Sequence, residues 1–207
     1  MRNFVCTVIG LFAAALASGQ LKTEPVALAD LPKNVHYQGK PMQAVQFQDK
    51  TGNYLALSTQ TGSLPQNGND EFRQAHVYGY VYQLKDKATP VLLWQLHDLV
   101  TECNLDMEAA FIPGSFAVTD LDKNGKAEVW LTYRLACRGD ISPAELKIIM
   151  HEGTTKYAMR GIGRLKVGKI TQHDGGLILS SSFNKAPAGF RQYAGKLWNK
   201  YVQETIN

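Results

Sequence analysis

Apolar and polar residues alternate with a period of two along most of the chain, and the alternation breaks at glycine-bearing turns. Ala44-Val-Gln-Phe-Gln alternates, Asp49-Lys-Thr-Gly52 turns, and Tyr54-Leu-Ala-Leu-Ser-Thr resumes, which predicts a β-hairpin. Residues 61–70, with Gly62, Pro65, Asn67, Gly68 and Asn69, have the composition of a surface loop. Residues 76–84 and 91–96 follow as strands around an 85–90 turn, and Tyr78, Tyr80 and Tyr82 share one face of the first. Such a stripe serves cross-strand packing or, less commonly, a carbohydrate platform. Residues 111–119 and 128–135 flank an Asp-rich loop. Short strands at 146–150, 156–160 and 164–167 are expected to turn at Gly153, Gly161, Gly163 and Gly168. Ser142-Pro-Ala-Glu145 has capping-box spacing and predicts one helical turn at most.

The period changes near the C-terminus. Phe190, Tyr193, Ala194, Leu197, Trp198 and Tyr201 recur at three and four, with Lys196, Asn199, Lys200 and Gln203 opposite, which predicts an amphipathic helix over 188–204. The expected fold class is therefore mainly β (α+β). Antiparallel strands follow in hairpin succession, as a sandwich or propeller-like, with a C-terminal amphipathic helix. No internal repeat of solenoid length is present.

The N-terminus reads as a secretory signal peptide over 1–19. Arg2 precedes the apolar run 4–17, and the small residues Ala17-Ser18-Gly19 suit cleavage before Gln20, or alternatively after Ala17. The run is shorter than the roughly 20 apolar residues of a spanning helix, and no other segment approaches that length. The expected mature chain is thus periplasmic or secreted, with no membrane span. Residues 20–43, carrying Pro25, Pro32 and Pro41, read as an extended leader to a single β-rich domain over 44–207.

Loss of Arg2 with the signal peptide takes the formal net charge from +4 to +3, without a basic cluster. The sequence therefore gives no electrostatic footprint for nucleic acid or a membrane surface. Cys6 leaves with the signal peptide. The two remaining cysteines, Cys103 and Cys137, would form a disulfide in an oxidising compartment, since neither sits in a nucleophile motif.

The constellation with chemistry in it is Asp120-Leu-Asp122-Lys-Asn124-Gly125-Lys126-Ala-Glu128. Calcium takes six to eight hard oxygen ligands. Asp120, Asp122 and Asn124 can turn alternate side chains inward, Gly125 permits the sharp turn, Lys126 can offer its carbonyl, and Glu128 can close the site. A structural calcium ion is the expected cofactor. The twelfth position is Leu131 rather than a bidentate Glu, and strands rather than helices flank the loop, so it is not an EF-hand. With its lead-in Phe116-Ala-Val-Thr and exit Val129-Trp-Leu-Thr, the loop resembles the calcium loops of integrin-type FG-GAP and related bacterial propeller repeats. Those carry several copies, and this chain carries one.

Catalytic motifs are lacking. His36, His76, His97, His151 and His173 show no zinc-binding spacing, and no nucleophile elbow or phosphate loop occurs. No catalytic residue is assigned, and the balance is against an enzyme. The run Thr119–Arg134, Cys137-Arg-Gly-Asp-Ile-Ser-Pro143, Lys147-Ile-Ile-Met150 and Lys156-Tyr-Ala-Met-Arg-Gly161 is similar to exported bacterial proteins labelled surface polysaccharide biosynthesis proteins. The resemblance centres on residues 116–161. It implies an envelope-associated role and transfers no catalytic residues. The tripeptide Arg138-Gly-Asp140 is as well explained by a turn as by adhesion. Two functions stand as expectations. One is an exported envelope accessory or binding protein whose partner is a glycan or envelope component. The alternative is a polysaccharide-active hydrolase using paired carboxylates.

Overall fold

A strand whose two faces are both covered reads as a continuous apolar run, whereas one with a wet face alternates. Both patterns occur here, because the strands form two stacked sheets whose outer faces are covered only in part. The computed structural model describes residues 21–85 and 89–206. The proposed signal peptide with Cys6, the centre of the 85–90 turn and the side chain of His173 lie outside the described residues.

The first sheet contains β1 (Lys22–Val26), β2 (Lys40–Asp49), β3 (Gly52–Gln60), β4 (Leu64–Gln66), β5 (Asn69–Leu84) and β6 (Val91–Cys103). Its order is β1-β2-β3-β5, with β4 and β6 also paired to β5. The second contains β7 (Asp106–Phe111), β8 (Ala117–Thr119), β9 (Glu128–Arg138), β10 (Glu145–Glu152), β11 (Thr155–Val167), β12 (Ile170–Leu179) and β13 (Gln203–Ile206). Its order is β12-β11-β10-β9-β7, with β8 on β9 and β13 on β11. Pairing is antiparallel in both sheets except for β13, which runs parallel to β11. Two helices, α1 (Ser181–Lys185) and α2 (Ala188–Tyr201), lie between β12 and β13 in sequence. Among the described residues no helix is long and apolar enough to cross a membrane.

The fold is a sandwich, with successive residues of each strand facing opposite layers. In β9, Leu131, Tyr133 and Leu135 meet Ala75, Val77 and Leu96 of the first sheet. Trp130 points the other way, with Ile148 and Met150 of β10, into a core shared with Phe183, Phe190, Ala194, Leu197 and Trp198 of the helices. Cover on both faces accounts for the unbroken burial of residues 128–133. In β5, Val77 and Val81 face the second sheet, and Tyr78, Tyr80 and Tyr82 face outward.

The tyrosine stripe is a packed layer. All three rings are at most 5% exposed and stack in succession at 6.1 and 6.0 Å between centroids. The segment before β2 covers them through Leu31 and Val35. Gln38 N donates to the Tyr80 hydroxyl at 3.0 Å, and the Tyr82 hydroxyl donates to the His36 carbonyl. A carbohydrate platform is therefore not available on that face, and residues 21–43 of the expected leader belong to the fold, with β1 pairing β2 along Lys22–Val26.

Several boundaries differ from expectation. The 61–70 loop includes β4, and residues 111–119 divide into the end of β7, a turn at Ser115 and β8. No helical turn forms at 142–145. There the Ala144 amide donates to Glu204 Oε1 at 2.7 Å, and β10 begins at Glu145. The terminal helix ends at Tyr201, and Gln203–Ile206 form β13. Gly161 and Gly163 lie inside β11 rather than at turns. A Cβ at Gly161 would fall 1.7 Å from the Gly176 carbonyl oxygen of β12, so this glycine lets two backbones approach.

Gly79 has a similar role between the sheets. A Cβ there would lie 2.3 Å from Leu131 Cδ1, and Leu131 is 1% exposed. Gly79→Ala is expected to lower the unfolding free energy by about 1–3 kcal/mol through overpacking. Urea denaturation would test this, and a variant as stable as the native chain would show that the layers yield freely at this point.

Candidate metal centre

The Asp-rich loop connects β8 to β9, strands that pair antiparallel with Thr119 opposite Glu128. Asn, Asp and Gly favour such connections because they accept left-handed backbone and bond to nearby amides. Lys123 and Gly125 take positive φ of 57° and 79°. Asp122 Oδ1 accepts from Asn124 N at 3.1 Å, and Asp120 Oδ2 accepts from Gly125 N at 3.1 Å. This curl brings carboxylate oxygens of Asp120, Asp122 and Glu128 within 4.8 Å of one another.

Glu128 is fully buried. It accepts from Thr119 Oγ1 at 2.6 Å, and both its oxygens lie 3.0 Å from Leu121 N. Burial raises its carboxyl to about 6. The bonds from Thr119 and Leu121 oppose that rise, and the charges of Asp122 and Asp120 add to it. Asp120 Oδ1 is buried with no hydrogen-bond partner. An orphaned carboxylate oxygen beside two further carboxylates leaves a negative, under-coordinated site that a hard cation would satisfy.

Asn124 also makes contacts within and beyond the loop. Asn124 Nδ2 donates to Asp122 Oδ2 at 3.0 Å and to Glu152 Oε1 at 2.5 Å. Its Oδ1 accepts from Lys126 N at 2.8 Å. Asn124 thus braces the loop, and the Lys126 amide takes part in that brace. The three carboxylates of the predicted set converge.

Sequence reading missed the clamp from the first sheet. Asp49 Oδ2 accepts from Ala127 N at 2.9 Å, and Lys50 N donates to the Gly125 carbonyl at 2.9 Å. The Lys50 ammonium also donates to the Asn124 carbonyl. The β2–β3 turn therefore holds the loop at the edge of the sandwich. Nothing local encodes a contact across 78 residues; the only hint is Asp49 in a turn.

The predicted disulfide is present. Cys103, at the end of β6, is bonded to Cys137 of β9, with Cα atoms 5.7 Å apart and 34 residues of separation. It joins the two sheets, and the enclosed segment includes the whole acidic loop. The Arg-Gly-Asp turn beside it is committed internally. Arg138 pairs with Glu204 at 3.0 Å and Glu108 at 3.4 Å, and Ser142 Oγ donates to Asp140. Among the histidines, His76 Nδ1 and His97 Nε2 meet at 2.9 Å on neighbouring strands, and His97 also stacks on Tyr78 at 4.6 Å. Compared with protein-family models, with curated proteins and with solved structures, the chain finds no match in any of the three.

Proposed function

We propose that this chain is an exported accessory or binding protein of the cell envelope whose sandwich is pinned by a structural calcium ion held by Asp120, Asp122 and Glu128. The observation that carries the reading is the buried, unpartnered Asp120 Oδ1 next to two converging carboxylates. An all-oxygen donor set without His or Cys favours calcium or magnesium over zinc or copper. Calcium accepts the irregular geometry of a curled loop more readily than octahedral magnesium does. The ion would neutralise three crowded carboxylates and fix the β8–β9 connection; we assign it no catalytic step.

Export is supported by the signal-peptide pattern and by the inter-sheet disulfide, which suits an oxidising compartment. Surface polysaccharide as the partner rests on the resemblance over residues 116–161. Against the hydrolase alternative, among the described residues the surface cleft lined by Lys22, Gln46 and Asn53 contains one carboxylate, Glu24, and the groove at Gln66 and Phe72 contains one, Glu102. Glycoside hydrolysis by the common route needs two facing carboxyl groups.

Thermal unfolding of the chelator-treated protein with added calcium or magnesium tests the ion. Calcium at about 100 times its Kd is expected to contribute about 2.7 kcal/mol. That corresponds to a Tm rise of about 5–10 °C for a domain of this size. Asp120→Asn should remove most of that shift while leaving the chelated Tm little changed. Identical melting with chelator, magnesium and calcium would refute the site. Retention and cleavage assays on surface glycans then separate binding from hydrolysis.

A further inference from the structure

A cavity of about 170 Å³ lies between the two sheets beside the acidic loop. Phe47, Tyr54, Val81 and Trp94 line it from the first sheet, and Val129 and His151 line it from the second. Protein interiors are packed densely enough that voids much larger than a water molecule are few. One water occupies about 30 Å³ in the liquid, so this space holds several waters or one small organic molecule.

The walls are aromatic. Trp94 and His151 stack at 4.1 Å between centroids and 15° between planes, and Phe47 and Tyr54 stack at 5.0 Å. His151 is 7% exposed, yet its Nδ1 has no hydrogen-bond partner. Burial, and secondarily Lys156, hold its imidazole down at about 4, so the ring is neutral at ordinary pH and can donate or accept there. Asp49 also lines the cavity, but its carboxylate is already taken by Thr51 and by Ala127 N. Lys126 lines it too, exposed, with no carboxylate in salt-bridge range among the described residues.

We propose that this cavity is a binding site for a small molecule with one aromatic ring, a hydrogen-bonding substituent that reaches His151 Nδ1 and an acidic group that Lys126 neutralises. A pyranose fits poorly, because its several hydroxyls would be buried against mainly apolar walls with few unspent partners. A ring with one polar group matches the usual anatomy of a small-ligand pocket, apolar with a few placed polar atoms. Asp120, Asp122 and Glu128 do not line the cavity, so none of the proposed calcium ligands is used in it.

The test is titration of the full chain with 4-hydroxybenzoate and with its uncharged analogue p-cresol. Calorimetry and the intrinsic tryptophan fluorescence, to which Trp94, Trp130 and Trp198 all contribute, would be followed in both chelator and calcium. The expected Kd for 4-hydroxybenzoate is on the order of 0.1–1 mM, given its size. His151→Phe keeps the stack and should weaken both probes about tenfold. Lys126→Met should weaken only 4-hydroxybenzoate, and Val81→Phe should fill the space and abolish both responses. No response from the native chain to either probe at about 10 mM would overturn the proposal and leave the cavity to water. Undiminished binding by folded Val81→Phe would overturn it by placing the ligand elsewhere. Failure of the calcium shift with this binding intact would count against the metal site alone.

Discussion

Trp130→Ala is expected to lower the unfolding free energy by about 3–5 kcal/mol, the range for deleting a large buried aromatic. Trp130 is fully buried. Its ring lies 4.8 Å from that of Tyr193 in α2 and 6.4 Å from that of Phe183 in α1. The helices therefore sit on the second sheet partly through this side chain, beside Ile148, Met150 and Tyr157. It also leads back to the candidate metal centre, since Trp130 Nε1 donates to Thr119 Oγ1 at 2.8 Å and Thr119 Oγ1 donates to Glu128 Oε2 at 2.6 Å. Trp130→Phe separates the two roles. It keeps most of the apolar contact and loses the indole N–H, so its cost should be nearer 1–2 kcal/mol. Guanidinium unfolding of both variants provides the measurement. If the alanine variant lay within about 1 kcal/mol of the native chain, the helix layer would not depend on this anchor.

The helix face was legible because its period is local: Phe190, Ala194, Leu197 and Trp198 are buried as the three-and-four spacing predicts. The first hairpin was legible for the same reason, with Asp49 opposite Gly52 at its turn. Glycine was misread where its purpose is non-local. Gly161 has the same sequence appearance as a turn glycine, but its neighbour is the Gly176 backbone of β12, a strand that periodicity did not reveal. β13 escaped because four residues after a helix carry little pattern, and its parallel pairing to β11 exists only once α1 and α2 have crossed the sheet. In the loop, the carboxylate spacing was readable and Asp120, Asp122 and Glu128 do converge. The brace through Asn124 and Glu152 and the clamp from Asp49 were not, since each joins residues far apart in sequence. Tyrosine alternation gave the shared face but not its cover, which comes from Leu31 and Val35.

Removing the disulfide is the other large perturbation. Cys103→Ala with Cys137→Ala is expected to cost about 3–4 kcal/mol, or on the order of 10 °C in Tm, for a closed segment of this length. In the entropic account the loss arises in the unfolded chain. Without the bridge, the ends of the enclosed segment separate freely and folding must bring them together again. The bridge also stands where the chain leaves the first sheet for the second, between the end of β6 and the start of β7. Apart from the backbone itself, no other covalent tie among the described residues holds the layers in register there; Lys147 and Tyr133 instead reach Asp98 across the interface at 2.8 Å each. Those polar contacts form only in the folded state, so they cannot replace a constraint on the unfolded one. Guanidinium melts of the double variant and of the reduced native chain should therefore agree with each other and fall below the oxidised protein by the same amount. Equal stability of oxidised and reduced chains would show that the bridge constrains nothing the sheets do not already hold. A double variant much less stable than the reduced chain would instead place the cost in the buried packing of Cys103, which is 0% exposed.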